Sequence, residues 1–283
     1  MTGPSAVPLV PANGANMPAL GLGTSRMRGA ECARAVETAI SLGYRHVDTA
    51  VMYGNEADVG EGLRASGLPR ADAFVTTKVL PDEIGAGDLQ KSAAGSLRRL
   101  KLDTVDLLLI HWPNSAIPLA RSIAALCDAK KQGLARNIGV ANFTMAMLRD
   151  AVRLAGEHGE KIACNQCEYH PRLDQSRLLG LCRENGVAFV SYYPLAQMAY
   201  MDDPVIARVA KAHGRAPSQV MLRWLTQQQG VAAIPKSSNR AHLLQNISIF
   251  DFTLSTEDMR AISGLARPGS RMASPSFGPV WDD

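Results

Sequence analysis

Residues 105–141, VDLLLIHWPNSAIPLARSIAALCDAKKQGLARNIGVA, carry the pattern that decides the fold. An apolar run at 105–111 is followed by an amphipathic segment at 116–131 and by a second apolar run at 137–141. Short runs without polar alternation are typical of strands buried on both faces of a parallel sheet. This stretch therefore predicts a strand, a covering helix and a second, parallel strand.

The same alternation extends outward in both directions, so that the chain shows about eight β-then-α units. That number favours a closed (β/α)8 TIM barrel, with a doubly wound open sheet as the alternative. Barrels of this length form one unit, so we predict a single domain over residues 1–283. The other predicted strands are 20–24, 46–50, 74–79, 162–168, 187–192 and 231–235, and the other predicted helices are 31–42, 56–65, 88–100, 145–154, 174–185, 204–213, 217–229 and 239–246.

Two segments lie outside this repeat. Residues 7–10 and 17–18 flank Asn13-Gly14, a pair typical of tight hairpin turns, and such a hairpin could close one end of the barrel. Residues 267–283 are rich in proline and glycine and lack periodicity. They predict an irregular C-terminal loop packed over the barrel mouth.

Composition excludes several classes of protein. A net charge of +4, with Lys and Arg dispersed along the chain, does not favour a nucleic-acid binder. No apolar run is long enough to span a bilayer, and residues 1–5 do not resemble the start of a signal peptide. The five cysteines lack regular spacing, which is typical of free thiols in a reducing compartment. We therefore expect a cytoplasmic protein without membrane or nucleic-acid partners.

Two short motifs are given structural explanations. Cys164 and Cys167 form C-x-x-C near His170, but the flanking residues predict a strand, where positions three apart point to opposite faces. We therefore predict no metal site there. Gly21-Leu22-Gly23 begins a G-x-G pattern, yet Arg26 stands where a dinucleotide fingerprint would have its third glycine. A tight turn at the barrel mouth is the preferred interpretation.

Polar side chains stand near the ends of consecutive predicted strands. Asp48 lies near the end of the second, Tyr53 lies in the next loop, Lys78 ends the third and His111 ends the fourth. Taken singly, Asp48 could be a helix cap, Lys78 a solvated lysine and His111 a satisfied polar group. Active sites of barrels form at the carboxyl ends of the strands, so four such residues predict one shared site.

These four residue types suit proton transfer to a carbonyl oxygen. A free tyrosine, with a pKa of about 10, is a poor acid near neutrality, and a neighbouring ammonium from Lys78 would lower that pKa. Asp48 can pair with Lys78, so that the ammonium is not buried alone. His111 can orient the substrate oxygen by a hydrogen bond. None of the four supplies a hydride, so a cofactor must provide it.

Several motifs resemble the aldo-keto reductase family, in family order and over essentially the whole chain. They are GYRHVDTA at 43–50, YGNE at 53–56, Lys78, and HWP at 111–113. The ending SPSFGPVWD at 274–282 resembles bacterial 2,5-diketogluconate reductases. The resemblance implies NADPH-dependent reduction of aldehydes, ketones, small dicarbonyls or keto-sugars. It also implies Tyr53 as proton donor, Lys78 and Asp48 as the residues that tune it, and His111 as the residue that orients the carbonyl.

Further motifs of the same resemblance imply a cofactor site. GVANF at 139–143 and NQCEYHP at 165–171 give Asn142 and Gln166 to the nicotinamide carboxamide, and Tyr192 stacks on its ring. IPKS at 234–237 holds the adenosine phosphate, with a lysine and a helix N-terminus as a suitable anion site. The full implied set is Gly23, Thr24, Asp48, Asn142, Gln166, Tyr192, Leu195, Lys236, Ser237, Arg240, His242, Gln245 and Asn246.

The chain departs from the family pattern in the cofactor motifs. Ala141 replaces a usual serine, and His242 stands where the family has an arginine that grips the 2′-phosphate. Arg240 can substitute, but arginine at the usual place is the better phosphate fork. We expect NADPH, with NADH possible.

The expected substrate pocket is open. Ser25 replaces a common pocket aromatic, and the loop 197–203 is short for the family. Trp112, Phe277 and Trp281 are expected to form the remaining apolar wall, beside Tyr53 and His111 at the reacting carbonyl.

Three alternatives remain open from the sequence. The same site could oxidise a secondary alcohol with NAD(P), Lys78 could form a Schiff base in a lyase, or the barrel could bind ligands without turnover. In each case we expect a small-molecule ligand and a monomeric protein.

Overall fold

The computed structural model describes residues 6–282. Residues 1–5, where no signal peptide is expected, and Asp283, at the end of the predicted C-terminal loop, lie outside that range. The strands are β1 (Leu9–Ala12), β2 (Ala15–Pro18), β3 (Leu22–Gly23), β4 (His46–Asp48), β5 (Phe74–Val79), β6 (Val105–Ile110), β7 (Ala135–Ala141), β8 (Ile162–Glu168), β9 (Ala188–Tyr192) and β10 (Val231–Ala233).

Helices follow the strands throughout the chain. They are α1 (Gly29–Ser41), α2 (Glu56–Ala65), α3 (Asp88–Leu100), α4 (Leu119–Lys131), α5 (Met145–Glu157), α6 (Ser176–Glu184), α7 (Pro204–His213), α8 (Pro217–Thr226), α9 (Arg240–Ile247) and α10 (Thr256–Ser263).

Strands β3 to β10 are parallel and lie side by side in chain order. The segment around β3 also pairs with the segment around β10, through bridges from Leu20 to Ala233 and from Gly23 to Lys236. The main-chain N of Gly21 donates to Ala233 O at 2.9 Å across this seam. An open sheet would leave both edges unpaired, so the predicted (β/α)8 barrel is confirmed and the doubly wound alternative is wrong.

Gly21 and Gly23 lie where a side chain would not fit, for two different reasons. A Cβ on Gly21 would lie 2.7 Å from the His46 ring, and a Cβ on Gly23 would lie 2.7 Å from Ile234 O. Neither glycine has a positive φ; the turn follows at Ser25 and Arg26. Close packing against the His46 ring at Gly21, and close approach of the backbone after β10 at Gly23, therefore explain the G-x-G pattern better than the predicted tight turn does.

Side chains alternate between two apolar layers. Leu107 and Leu109 of β6 belong to the cluster inside the barrel, whereas Leu108 and Ile110 pack beneath the helices. Cys164 and Cys167 of β8 divide in the same way, and the five cysteines are free and buried. In residues 6–282, no group of three or more His, Cys, Asp or Glu side chains is placed to hold a metal ion.

The predicted N-terminal hairpin is present and closes the base of the barrel. Its turn residues, Asn13 and Gly14, both have positive φ values, 46° and 102°, as the tight turn requires. The Asn13 Nδ2 donates to Ile162 O and to Asn185 O, both at 2.9 Å. Met17 of this hairpin is completely buried in the inner cluster. The hairpin therefore covers one end of the barrel, and the opposite end is the open mouth.

Helix boundaries differ from the predictions where side chains interfere locally. α4 begins at Leu119 rather than at 116, because Asn114 Oδ1 accepts the Ala116 N–H and Pro118 precedes the first turn. α10 was not predicted, although Ser255 and Asp258 form a capping box at its start. Every helix in residues 6–282 is too short or too polar to cross a bilayer.

Candidate active site

The four predicted polar residues meet at the mouth of the barrel. Asp48 ends β4, Lys78 is the penultimate residue of β5, and His111 directly follows β6. Tyr53 ends a short 3-10 helix, Val51–Tyr53, just beyond β4. Because neighbouring parallel strands end at one edge, these side chains are brought together from separate units.

Lys78 is the centre of the cluster and has no exposed side-chain surface. Its Nζ donates to Asp48 Oδ1 at 2.5 Å, to Thr49 O at 2.9 Å and to the Tyr53 hydroxyl at 3.4 Å. An ammonium has three donors, so each of them has a partner. Burial is the largest single effect on the pKa of Lys78 and lowers it, but the charges of Asp48 and Tyr53 and the hydrogen bonds to them together outweigh burial, so the net pKa is raised. The group therefore stays protonated near neutral pH.

Tyr53 experiences two opposing effects on its pKa. Burial raises the pKa and is the larger effect, while the positive charge of Lys78 lowers it. The net direction is upward, which corrects the expectation from the sequence, where only the ammonium was counted. The phenol therefore keeps its proton well above neutral pH.

His111 lies beside Tyr53, with the two ring centroids 5.6 Å apart and nearly perpendicular. Burial, followed by repulsion from Lys78, lowers the pKa of His111 well below its ordinary value. Its Nδ1 is buried and has no hydrogen-bond partner in the described residues. A neutral imidazole is thus held at the mouth, able to donate a single N–H to a ligand oxygen.

Asn55 and Glu56 hold the Tyr53 loop in place, a role that sequence reasoning missed although it quoted both residues in a motif. Asn55 Nδ2 donates to Thr24 O at 2.8 Å and to Met27 O at 3.0 Å. Glu56 is buried and accepts from Thr77 Oγ1 and from Arg99 Nε, both at 2.6 Å. A carboxylate at the first position of α2 was the available signal, because it also suits the helix dipole.

Asn142, Gln166 and Tyr192 gather next to this cluster. Gln166 Nε2 donates to Asp48 Oδ2 at 2.8 Å. Asn142 has a left-handed backbone, with φ 63°, and its Nδ2 donates to His111 O at 2.9 Å. Tyr192 donates its hydroxyl to Asn142 Oδ1 at 2.8 Å. The amides of Asn142 and Gln166 and the hydroxyl of Tyr192 retain further donor or acceptor capacity, so all three side chains can still contact a ligand.

The remaining predicted cofactor residues differ in their burial and in their contacts. Gly23 and Thr24 belong to the barrel wall, and the Thr24 hydroxyl donates to Asp48 O at 2.9 Å. Lys236, Arg240 and His242 are exposed around the start of α9, where Asn239 caps Ala241 N and His242 N. Within residues 6–282 none of those three has an acidic partner. Leu195 is half-buried, Ser237 and Asn246 are buried, and Gln245 accepts from Ser218 Oγ at 3.4 Å.

Aromatic side chains form a wall beside His111. The buried Trp112 ring is 5.7 Å from the Phe277 ring and 6.2 Å from the Trp281 ring, both in edge contacts. Phe277 and Trp281 belong to the irregular segment 267–282, which we call the C-terminal strap. The structure therefore brings together the three residues predicted for the apolar wall.

Comparison with known proteins agrees with this arrangement. Residues 17–267 match the model of the aldo/keto reductase family. The chain is 39% identical over 269 residues to methylglyoxal reductase DkgB of Salmonella typhi, covering 94% of this chain and 99% of that protein.

Solved structures extend the same likeness to the fold. A structure assigned as a 2,5-diketo-D-gluconic acid reductase B superposes with a TM-score of 0.95 at 46% identity, over 99% of both chains. A Bombyx mori aldo-keto reductase in complex with NADP superposes with a TM-score of 0.85 at 32% identity, over 92% of this chain and 93% of that one. The chain belongs to the aldo/keto reductase family and is an oxidoreductase acting on carbonyl groups.

Proposed function

We propose that the protein reduces aldehydes, ketones, small dicarbonyls or keto-sugars to alcohols with NADPH, and that Tyr53 is the general acid. The observation that carries the proposal is the buried Lys78 ammonium, which contacts the Tyr53 hydroxyl at 3.4 Å and Asp48 at 2.5 Å. A protonated phenol beside a fixed cation is an arrangement suited to giving up a proton to an oxygen that gains negative charge.

Tyr53 transfers its hydroxyl proton to the carbonyl oxygen and becomes a phenolate. Lys78 stabilises that phenolate by charge and by its hydrogen bond, and Asp48 holds Lys78 in position. When bound, a reduced nicotinamide supplies the hydride that the carbonyl carbon accepts. The carbonyl thus gains one hydride and one proton, which balances reduction to an alcohol.

His111 orients the substrate. Its lowered pKa keeps the imidazole neutral, so it presents one N–H as a donor and no competing positive charge. Together with Tyr53, it would direct two hydrogen bonds to one carbonyl oxygen.

The residues present fit a nicotinamide dinucleotide. Tyr192 is partly exposed with its hydroxyl fixed, which leaves a ring face for stacking, and Asn142 and Gln166 lie beside it. Lys236 and Arg240, at the N-terminus of α9, are cations without acidic partners among the described residues and suit the 2′-phosphate of NADPH. The NADP complex of the Bombyx mori relative supports the same cofactor.

The substrate class rests on the relatives and on the aromatic wall. Methylglyoxal and 2,5-diketo-D-gluconic acid, named for two relatives, are both small dicarbonyls. Trp112, which directly follows His111 in the chain, packs with Phe277 and Trp281, and we expect these rings to contact the apolar part of a substrate.

A Schiff-base lyase is disfavoured by the state of Lys78. Such a lyase needs a neutral amine, whereas Lys78 has a raised pKa and its three donors are all engaged. Alcohol oxidation uses the same residues in reverse and requires a Tyr53 phenolate. Burial raises the pKa of Tyr53, so the phenolate that alcohol oxidation requires is the minor form near neutral pH.

Replacement of the phenol tests the proposal. Tyr53→Phe should lower kcat for methylglyoxal reduction by about 10²-fold or more, because general acid catalysis typically contributes that much. The Kd for NADPH, measured by fluorescence titration, should stay within about threefold, since the ring and its packing remain. A variant that keeps more than half of its activity would refute Tyr53 as the acid.

A further inference from the structure

A buried carboxylate outside the proposed chemistry lies at the end of β8. Glu168 has no exposed side-chain surface, yet none of its atoms contacts Asp48, Tyr53, Lys78 or His111 by a hydrogen bond. Its Oε1 accepts the Met272 N–H at 2.8 Å, and its Oε2 accepts the Ala273 N–H at 2.7 Å. Burying a carboxylate costs free energy unless the group is hydrogen-bonded, so these two hydrogen bonds from the C-terminal strap stabilise the buried charge.

The carboxylate is held rigidly on its other side. His170 Nε2 lies 3.0 Å from Glu168 Oε1, and His170 Nδ1 accepts the Arg172 N–H at 3.3 Å. Since Nδ1 is an acceptor, Nε2 carries the proton and donates to Glu168. Gln175 Nε2 also donates to Glu168 O at 3.0 Å. Glu168 is therefore a fixed point to which the strap attaches.

The strap has little support of its own. It contains no helix or strand, so its position depends on contacts with the barrel. Besides the bonds to Glu168, Arg267 N donates to Arg172 O at 2.9 Å at the start of the strap, and Asp282 Oδ2 accepts the Met145 N–H of α5 at 2.9 Å at its end. Phe277 and Trp281 lie between the bonds to Glu168 and the bond of Asp282, and pack on Trp112. The position of the aromatic wall thus depends on these hydrogen bonds and on contacts such as that of the Arg271 guanidinium with the Trp281 ring, rather than on regular structure.

We propose that Glu168 is a positioning residue that determines substrate selectivity, because it holds the strap and sets the position of the wall formed by Trp112, Phe277 and Trp281. This inference rests on the proposed carbonyl reduction. Glu168 touches neither the carbonyl nor the proton donor, so it acts on selectivity only through the strap. The kcat and KM of small substrates that do not reach the wall should not change when Glu168 is replaced.

The first test replaces the acceptor. Glu168→Gln turns one carboxylate oxygen into an NH₂ group, which cannot accept a strap N–H. Loss of one charge-assisted hydrogen bond should speed hydrogen exchange across residues 266–282 by about tenfold or more. The KM for benzaldehyde should rise by about tenfold, while kcat and KM for methylglyoxal and the NADPH Kd should stay within about threefold.

The second test leaves Glu168 in place and removes a donor from the strap. Met272→Pro deletes the N–H that Glu168 accepts, and Met272→Ala keeps it. The Met272 side chain is 38% exposed, so its truncation alone should matter little. Met272→Pro should reproduce the exchange and benzaldehyde effects, and Met272→Ala should not. This pair decides the question even if Glu168→Gln fails to fold.

A control variant changes a side chain close to Glu168 without removing the hydrogen bonds between the strap and Glu168. Arg172→Met removes a guanidinium that donates to Asp203 Oδ2 at 2.6 Å, but leaves both bonds from the strap to Glu168. Exchange over 266–282 and the benzaldehyde KM should be unchanged in it.

Unchanged exchange in Glu168→Gln and Met272→Pro, or faster exchange with an unaltered ratio of the benzaldehyde and methylglyoxal KM values, would overturn the assignment. A wild-type protein that reduces no carbonyl would instead refute the proposed function, and the exchange measurements would still decide whether Glu168 holds the strap.

Discussion

Lys78 shows how one buried residue organises a site. A lysine without exposed surface would ordinarily lose its proton, yet Asp48, Thr49 O and Tyr53 together keep it charged. The same three acceptors prevent it from acting as a nucleophile. In the proposed reaction, its charge stabilises the negative charge that forms on the neighbouring phenol.

The pH profile of reduction follows from two residues. Reduction needs a neutral His111, which exists above its lowered pKa, and a protonated Tyr53, which exists below its raised pKa. The kcat/KM for methylglyoxal at saturating NADPH should therefore be level from about pH 6 to about pH 9, because the ordinary values of about 6.5 and 10 are both shifted outward. Alcohol oxidation should instead rise with pH. A decline of reduction across pH 7 to 8 would contradict the direction given for Tyr53.

Lys236 is predicted to discriminate between cofactors. It is exposed near the start of α9 without an acidic partner in residues 6–282, so its charge is free to meet a 2′-phosphate. Lys236→Ala should raise the Kd for NADPH by about tenfold, the typical effect of one charge-assisted contact, and that for NADH by less than about twofold. Fluorescence titration of both cofactors measures this. Equal weakening would show that Lys236 does not contact the phosphate.

At the scale of the element, helices α1, α2 and α3 pack so closely that side chains are excluded between them. A Cβ on Gly62 of α2 would lie 2.4 Å from Ala33 O on α1, and a Cβ on Gly60 would lie 2.3 Å from Leu100 O on α3. This close approach fixes the start of α2, and with it the loop that carries Tyr53.

Two glycine substitutions separate packing from helix propensity. Gly62→Ala should lower the free energy of unfolding by about 1–3 kcal/mol, because the new methyl group meets the backbone of α1. Gly180, in α6, has open space where a Cβ would stand, with no atom within 4 Å apart from its chain neighbours and the nearby backbone of its own helix, so Gly180→Ala should be neutral or stabilising by up to about 1 kcal/mol. Urea unfolding of both variants measures the difference, and equal effects would contradict the role given to close packing.

At the scale of the whole molecule, the closed barrel surrounds an uncharged histidine. His46 is buried, its Nε2 lies 3.1 Å from Thr76 Oγ1, and its Nδ1 has no partner in the described residues. Burial is the main cause that lowers the pKa of His46 to about 4. The unfolded chain therefore binds this proton more readily than the folded barrel does.

Acid should destabilise the barrel through His46. The contribution is fully present above the unfolded pKa of about 6.5 and is lost as the pH falls from there to about 4, a loss of about 3 kcal/mol. His46→Gln keeps a group that can bond Thr76 but cannot titrate. Its free energy of unfolding should fall less between pH 7 and pH 4.5 than that of the wild type. Parallel slopes would exclude His46 as the cause.

The barrel and its four-residue cluster were predictable from the order of the amino acids, because both depend on local periods and on residues next to strand ends. Asp48, Tyr53, Lys78 and His111 stand in successive units, so predicting the strands also predicts their meeting. Helix starts were less predictable where Asn114 and Pro118 compete with the apolar period.

The contacts between distant segments depend on how the chain folds in three dimensions. Gly21 is required by the His46 ring and Gly23 by the backbone that follows β10, and Glu168 meets Met272 across 104 residues of chain. The direction of the Tyr53 pKa likewise depends on how deeply the loop is buried, and α10 required its capping side chains to be placed. Periodicity reports which face of an element is apolar. It does not report which distant backbone, carboxylate or solvent boundary that element will meet once the barrel closes.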